Sequence, residues 1–241
     1  MLELILAAAA ALPAPAQLAT EARLIQKAEP VYCGGARGRN VALTFDDGPS
    51  PYTLQLVRVL RRLHARATFF DIGSRLGYWP AAVRAQARAG ELGNHTWSHP
   101  HLAGLSPADA RRELSWTQRA IGRAVGTVPR VFRPPYEEAL PADELLARSL
   151  GLLDVRWSAD SGDSRPGARP ATVVRTAIGS LRPGAILLFH DPHPSSPAIA
   201  AAVVRAARRK GLRPVTVSEL LAREPPSARQ LESSGAERCP P

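Results

Sequence analysis

The sequence has few of the residues that mark several common classes of protein. It contains two cysteines, Cys33 and Cys239, which are too few for a thiolate metal site. Lysine is equally scarce, with Lys27 and Lys210 among 31 basic residues. The arginines are spread along expected helices, without the basic blocks or interleaved aromatic residues of a nucleic-acid site. The formal net charge of +10 therefore indicates a solvated basic surface, which would also suit an anionic polymer.

A membrane-spanning hydrophobic run is also lacking. The apolar stretch at residues 2–12 is too short to cross a bilayer as a helix, and "APAQ" at 14–17 offers a small-residue cleavage site. We interpret residues 1–16 as a signal peptide, which predicts a secreted or periplasmic protein. The stretch has no basic residue before it and contains Glu3, so an apolar helix of a cytoplasmic protein is the alternative. In an oxidising compartment Cys33 and Cys239 could form a disulfide; otherwise they stay unpaired.

Short β-type runs alternate with helical patterns from residue 40 onward. Strands are predicted at 41–45, 67–73, 90–94, 130–133, 152–157, 185–190 and 213–217, and the helices between them include 53–65 and 106–126. This alternation predicts a parallel sheet with crossover helices, and seven units favour one closed or nearly closed barrel. We place the domain at residues 38–223. Residues 17–37 are expected to be partly flexible, and 224–241 to form a flexible polar tail.

Polar residues follow the predicted strands where catalytic groups of β/α barrels gather. Asp46 and Asp47 end the first strand, and Gly48 and Pro49 supply a turn that could bring both carboxylates to one pocket. His95 and His99 are four residues apart, which predicts that they share one face of a helical turn. Two imidazoles and one carboxylate would make a metal site with open positions for water and substrate.

Five motifs carry a resemblance to a known family. "TFDDGP", "HTWSH", "RPPY", "DSGD" and "LLFH", in this order and spacing, resemble the motifs of the polysaccharide deacetylase family, also called the NodB homology domain or carbohydrate esterase family 4. The resemblance covers roughly residues 38–223. It implies a distorted (β/α)7 barrel that holds one divalent metal ion, usually Zn²⁺, with Co²⁺, Ni²⁺ or Mn²⁺ as alternatives. The implied reaction is removal of N-acetyl groups from N-acetylglucosamine units of peptidoglycan, a chitin-like polymer or another exopolysaccharide.

The resemblance also implies roles for individual residues. Asp47, His95 and His99 would hold the metal, and Asp46 would be the general base, oriented by Arg133. His190 would be the general acid, with Asp163 as its carboxylate partner, although Asp160 of the same motif is an alternative. The substrate-binding residues would be Pro135, Tyr136 through its backbone N–H, and Ser164.

Ser164 is the clearest departure from the family pattern, because an aromatic residue usually stands there and lines the pocket for the acetyl methyl group. A serine predicts space for a larger acyl chain, unless another side chain closes the pocket.

Three other functions compete with this one. A sugar-binding relative without activity would require the loss of a catalytic residue, and none of those named is missing. A non-haem iron oxygenase also uses two histidines and a carboxylate, but it does not explain Asp46, Arg133 or His190. A deacylase of another N-acylated substrate stays open. We expect a monomer that binds an N-acetylated polysaccharide, does not bind nucleic acid and has no stable membrane span.

Overall fold

The structure is a computed structural model that describes residues 14–232 and Cys239. The predicted signal peptide lies almost wholly outside the described residues and stays a prediction, and residues 233–238, 240 and 241 of the predicted tail lie outside them as well. Within the described part of the chain, none of the helices has the length and apolar character needed to cross a bilayer.

A parallel sheet forms the centre of the domain. Its strands are β1 (Asn40–Gly48), β2 (Thr68–Asp71), β3 (Glu91–Asn94), β4 (Val131–Phe132), β5 (Leu153–Asp154), β6 (Ala159–Asp160), β7 (Ile186–His190) and β8 (Arg213–Val215). They pair in the order β5-β4-β3-β2-β1-β7-β6, while β8 pairs with the first residues of β1. Seven strands thus follow one curved path, which confirms the predicted distorted (β/α)7 barrel.

The barrel is open between β5 and β6, the two ends of the pairing order. The sequence pattern predicts one strand at 152–157, whereas β5 ends at Asp154 and the short β6 begins at Ala159. The chain between them pairs elsewhere, because Val155 bridges to Val31 of the N-terminal segment. Two residues further along this segment, Cys33 bridges to Ala185, which directly precedes β7. The N-terminal segment therefore lies across the opening.

Helices surround the sheet, and most of them begin with a proline in the first turn, where a backbone N–H is not needed. They are α1 (Pro15–Lys27), α2 (Thr53–Arg62), α3 (Pro80–Ala89), α4 (Pro107–Val125), α5 (Pro141–Ser149), α6 (Pro170–Gly179), α7 (Ser196–Arg209), α8 (Val217–Arg223) and α9 (Ala228–Glu232). The predicted helix at 106–126 is confirmed as α4. The Ser106 hydroxyl accepts from the Asp109 N–H at its start, and Gly126 ends it with a φ of 78°.

Successive side chains of β1 point alternately to the core between the sheet and the helices and to the interior of the barrel. Val41, Leu43 and Phe45 pack in a buried cluster with side chains of α2, α3 and α7. Ala42 belongs to a different cluster, and Thr44 and the Asp46 carboxylate contact a buried arginine. Because successive strand residues point to opposite faces, the same pattern that builds the core turns Asp46 inward.

Within the described residues, each terminal segment contains a helix with buried apolar side chains. Leu24 and Ile25 of α1 are buried with residues of α8, and α9 buries Leu231 although residues 224–241 are predicted to be a flexible tail. The structure also joins Cys33 and Cys239 by a disulfide with a Cα–Cα distance of 6.1 Å. Buried apolar residues and this crosslink give the two segments contacts that their polar, proline-rich composition does not suggest.

Candidate active site

The two aspartates at the end of β1 reach the same site because of a β-bulge. Asp46 pairs with Phe70 of β2, and Gly48 pairs with the next residue, so that Asp47 is the extra residue between them. Asp47 has a φ of 65°. The backbone therefore turns at Asp47 itself. The prediction placed this turn at Gly48 and Pro49, one residue too late.

The histidines lie in an irregular loop after β3, so the prediction of a helical turn is wrong. Thr96 and His99 both have a φ of 63°, which a helix does not allow. Glu113 of α4 holds this loop through its carboxylate, which accepts from the N–H groups of residues 97 and 98 at 2.7 and 2.8 Å. The loop brings His95 and His99 together with their ring centroids 4.9 Å apart.

Asp47, His95 and His99 form the predicted cluster. Asp47 Oδ1 lies 3.4 Å from His95 Nε2 and 3.2 Å from His99 Nε2, and all three ligand atoms lie within 4.8 Å of one another. Ligand atoms bound at about 2.05 Å in tetrahedral geometry are about 3.3 Å apart, and the two distances from Asp47 Oδ1 match this value. Asp47 Oδ1 is also buried, with no hydrogen-bond partner among the described residues. The residues therefore fit a divalent metal ion.

Outer contacts orient the two imidazoles. His95 Nδ1 lies 2.7 Å from the carbonyl oxygen of Arg133, which can only accept, so Nδ1 carries the proton and the lone pair is on Nε2. His99 Nδ1 lies 3.2 Å from the hydroxyl of Tyr136. Both Nε2 atoms thus face Asp47. Burial alone would raise the pKa of Asp47, but when the imidazoles are protonated their hydrogen bonds, together with the charge of His95, outweigh burial and hold this pKa well below its usual range.

Arg133 is fully buried and connects several parts of the site. Its Nη1 donates to Asp46 Oδ1 at 2.8 Å and to the hydroxyl of Thr44 at 2.7 Å. Its Nε and Nη2 donate to the carbonyl groups of residues 155 and 156. Burial lowers the pKa of Arg133 and the adjacent Asp46 opposes this, but arginine stays charged at neutral pH. Arg133 therefore orients Asp46, whose other oxygen, Oδ2, lies 3.9 Å from His95 Nε2.

His190 ends β7 opposite Asp46, to which it is paired in register. Its Nδ1 lies 2.7 Å from Asp163 Oδ1, and its backbone N–H donates to Asp163 Oδ2 at 2.7 Å. Burial alone would lower the pKa of His190, but the hydrogen bond to Asp163 and the charges of Asp46, Asp163 and Asp47 raise it to about 9. Asp160 instead accepts from the N–H of Gly162, which decides between the two aspartates in favour of Asp163.

The predicted substrate-binding residues lie in two loops. Pro135 is buried, whereas Tyr136 is exposed with a φ of 59° and places its ring edge-on to His99. Ser164 directly follows Asp163 and is exposed. The structure places Tyr136 beside the metal ligands and Ser164 beside the partner of His190.

Sequence reasoning overlooked several residues around the site. His101 stacks on Tyr136 with ring centroids 4.0 Å apart, and its Nδ1 lies 2.7 Å from Glu138 Oε2. The Asp71 carboxylate accepts from the Gln86 amide at 3.0 Å below the loop after β1. Burial raises the pKa of Asp71 well above its usual range, and the nearby charge of Asp191 adds to this. Asp71 ends β2 and Asp191 directly follows β7, and this position at a strand end was the available signal for both.

Comparisons with known proteins show what the chain as a whole is similar to. A family model described as polysaccharide deacetylase matches residues 34–154. The chitooligosaccharide deacetylase of Bradyrhizobium sp. (strain ANU 289) is 40% identical over 162 residues, covering 65% of this chain and 72% of that protein. The peptidoglycan-N-acetylmuramic acid deacetylase PdaC of Bacillus subtilis (strain 168) is 37% identical over 183 residues, covering 75% of this chain.

The chain spans only 38% of the length of PdaC. Among solved structures, the Bc1960 peptidoglycan N-acetylglucosamine deacetylase superposes with a TM-score of 0.75 at 30% identity, covering 81% of this chain and 94% of that one. The family-model match, these similarities and the shared barrel lead to one conclusion: this chain belongs to the polysaccharide deacetylase family.

Proposed function

We propose that this chain is a metal-dependent hydrolase that removes N-acetyl groups from the N-acetylglucosamine units of a polysaccharide. The observation that carries the proposal is the placement of a base candidate and an acid candidate around one metal-ligand cluster. Asp46 Oδ2 lies 3.9 Å from a ligand atom of that cluster, and His190 pairs in register with Asp46 from the neighbouring strand. Amide hydrolysis needs both groups, because water must lose a proton and the departing amine must gain one.

Asp47, His95 and His99 would hold the metal ion, for which Zn²⁺ is our first choice and Co²⁺, Ni²⁺ or Mn²⁺ the alternatives. A divalent ion supplies Lewis acidity when bound, which polarises a carbonyl group and acidifies water. The chain's own part is to present one carboxylate oxygen and two correctly oriented imidazole nitrogens. The hydrogen bond from His95 Nδ1 to the carbonyl of Arg133 fixes one of these orientations.

Asp46 would accept the proton of the attacking water. Its Oδ1 is held by the Arg133 guanidinium, so the carboxylate cannot rotate freely, and Oδ2 is left to face the cluster. Arg133 itself is fixed by three further acceptors, so the base is positioned before the substrate arrives.

His190 would donate a proton to the departing amine. The Asp163 carboxylate accepts from Nδ1 and keeps the ring charged, so that Nε2–H is the atom available as acid. The backbone N–H of Tyr136 would donate to the developing oxyanion, and the buried Pro135 precedes it in the same loop. Ser164 would stand at the acyl pocket.

The names of the relatives support the substrate class. They are deacetylases of peptidoglycan and of chitooligosaccharides, which share N-acetylated hexosamine units. We propose an extracytoplasmic location, secreted or periplasmic, because such polymers lie outside the cytoplasm and because the Cys33–Cys239 disulfide suits an oxidising compartment.

The test is a panel of peptidoglycan, chitin-type oligomers and an N-acetylated exopolysaccharide, each assayed for released acetate alongside the bound metal content. We expect about one metal ion per chain and acetate from at least one polymer. His95→Ala should lose the metal and the activity while its circular dichroism spectrum stays native. Stoichiometric metal without acetate from any of the polymers would instead support a sugar-binding protein without activity.

A further inference from the structure

Two consecutive residues after β4 have a left-handed backbone although neither is glycine. Tyr136 has a φ of 59° and Glu137 a φ of 61°. Residues with a Cβ atom pay a steric cost in this region, so such a pair persists only where its surroundings hold it. The Glu137 side chain is exposed, and packing in the core therefore does not impose its conformation. What holds Glu137 must be a contact of its backbone.

The side chain of Arg156 supplies that contact. Its Nη1 donates to the Glu137 carbonyl. The rest of the guanidinium is fixed, because Nε and Nη2 donate to the two carboxylate oxygens of Asp154 at 2.7 and 2.8 Å. Arg156 and Asp154 are both buried. A planar guanidinium bound at both ends has little freedom, so it holds the Glu137 carbonyl at a defined position.

The backbone of Arg156 is tied to the frame of the barrel. Its N–H donates to the Val31 carbonyl at 2.8 Å, and the Val31 N–H donates to the carbonyl of Asp154, the last residue of β5, at 2.9 Å. The Arg156 carbonyl accepts from Nη2 of Arg133 at 3.0 Å. One residue thus contacts, through its carbonyl, the arginine that orients the proposed base and, through its side chain, the loop that carries Tyr136.

The conformation of Glu137 decides where the Tyr136 N–H lies. A hydrogen bond from the Glu138 N–H to the Pro135 carbonyl at 3.0 Å closes a turn that contains both left-handed residues. Because peptide units are planar and rigid, a change of φ at Glu137 rotates the peptide units of this turn against each other. The Tyr136 N–H, the proposed oxyanion donor, would then leave its position.

We propose that Arg156, held by Asp154, is a positioning residue that keeps Tyr136 and Glu137 left-handed and so holds the Tyr136 N–H in place for the oxyanion. The inference rests on the proposed function, since it assumes that this N–H stabilises the oxyanion. Arg156 acts through Tyr136 and not by contact with the substrate. A donor held in place before the reaction is effective because no rearrangement is needed as charge develops.

The first test removes both charges of the buried pair together, so that neither is left buried alone. In the variant Asp154→Asn with Arg156→Gln, assayed with the pentamer of N-acetylglucosamine at saturating Zn²⁺, kcat should fall about tenfold to a hundredfold. This is at or below the loss of about 10² to 10³ that follows complete removal of one oxyanion donor. KM should change less than about twofold, because the contact is used in the transition state.

A rescue separates positioning from general weakening of the structure. Adding Glu137→Gly to the pair variant should restore most of kcat, because glycine adopts a positive φ without steric cost. Deleting an exposed side chain would not repair a barrel that is merely less stable.

A variant with an intact Arg156 tests the same idea from the loop. Glu137→Val should also lower kcat about tenfold or more, because a β-branched residue strongly disfavours a positive φ. Leu140→Val is the matched control in the same loop, since Leu140 is exposed and has an extended backbone with a φ of −85°. It should leave kcat at the native level.

Unchanged kcat in the pair variant or in Glu137→Val would overturn the inference. A loss in the pair variant that Glu137→Gly fails to recover would overturn it as well. If thermal melting shows that the pair variant does not fold, the comparison of Glu137→Val with Leu140→Val decides alone.

A failure of the proposed function would look different, because the native protein would then release no acetate from the pentamer. NMR relaxation of the zinc-loaded, ¹⁵N-labelled protein still tests the positioning. The order parameter of the Tyr136 N–H should fall from about 0.85 in the native protein to below about 0.6 in the pair variant or in Glu137→Val. Equal order parameters would reject the role of Arg156 whatever the substrate.

Discussion

Removal of the Asp163 carboxylate is expected to move the alkaline limit of activity to lower pH. In the proposed reaction only protonated His190 can act as the acid, so kcat falls as pH rises through its pKa. Burial alone would lower this pKa, and the Asp163 hydrogen bond is the first of the effects that raise it to about 9, against an ordinary value of 6.5. Asp163→Asn keeps the shape of the side chain but removes the negative charge.

The size of the shift follows from the contact that is lost. A hydrogen bond between charged partners contributes about 1.5 to 3 kcal/mol, and one pKa unit corresponds to about 1.4 kcal/mol. The alkaline limb of kcat should therefore move down by about 1 to 2 pH units. The pKa of His190 is raised from 6.5 to about 9, a rise of about 2.5 units. The shift expected for loss of the Asp163 carboxylate alone is smaller than this total rise.

The assay is kcat against pH for the metal-loaded native protein and two variants. Asp160→Asn is the matched control, since Asp160 belongs to the same motif but bonds to the Gly162 N–H and to the exposed Arg165. It should leave the alkaline limb in place. If the alkaline limb of kcat moved in Asp160→Asn and not in Asp163→Asn, the assignment of Asp163 as the partner of His190 would be refuted. If neither variant moved this limb, His190 would be refuted as the acid.

Three further predictions concern the metal, the base and the acyl pocket. Asp46→Asn should keep the metal and lower kcat by about 10² to 10⁴-fold, whereas Asp47→Ala should lose the metal, as elemental analysis would show. The opposite pattern would mean that Asp46 is the metal ligand and Asp47 the base. Tyr136→Phe removes the hydroxyl beside His99 Nδ1 and should weaken metal affinity by about tenfold or more in a chelator competition, and unchanged affinity would contradict that support. Ser164→Trp should narrow hydrolysis from acetyl, propionyl and butyryl glucosamine oligomers towards acetyl; an unaltered preference would mean that another side chain closes the pocket.

The long periodic elements could be predicted from sequence because burial decides them. Helix α4 has the predicted type and nearly the predicted bounds, and β1 has the predicted type but continues three residues beyond the predicted end at residue 45. The two-residue strand β6 could not be predicted, because two residues show no period. Residues 31–33 carry no strong pattern either, and their bridges depend on the distant Val155 and Ala185.

The site residues were easier to name than to place. The His95 and His99 spacing matches a helical turn, but left-handed backbone at Thr96 and His99 has no sequence signal when the residue is not glycine. Asp160 and Asp163 differ only in what they face in space, so the sequence left both open. The disulfide likewise depends on a tertiary approach that two isolated cysteines do not reveal.

The disulfide turns residues 33–239 into a closed covalent ring, whose two cysteines have a sequence separation of 206. A single backbone cut anywhere in that ring opens it without releasing a fragment. The exposed segment at 164–169, between Asp163 and α6, is a natural place for such a cut. Nicked protein would then migrate as one chain on a non-reducing gel and as two after reduction. A cut in this loop would create a new N-terminus and a new C-terminus there, while the disulfide would keep all strands of the barrel in one covalently connected molecule.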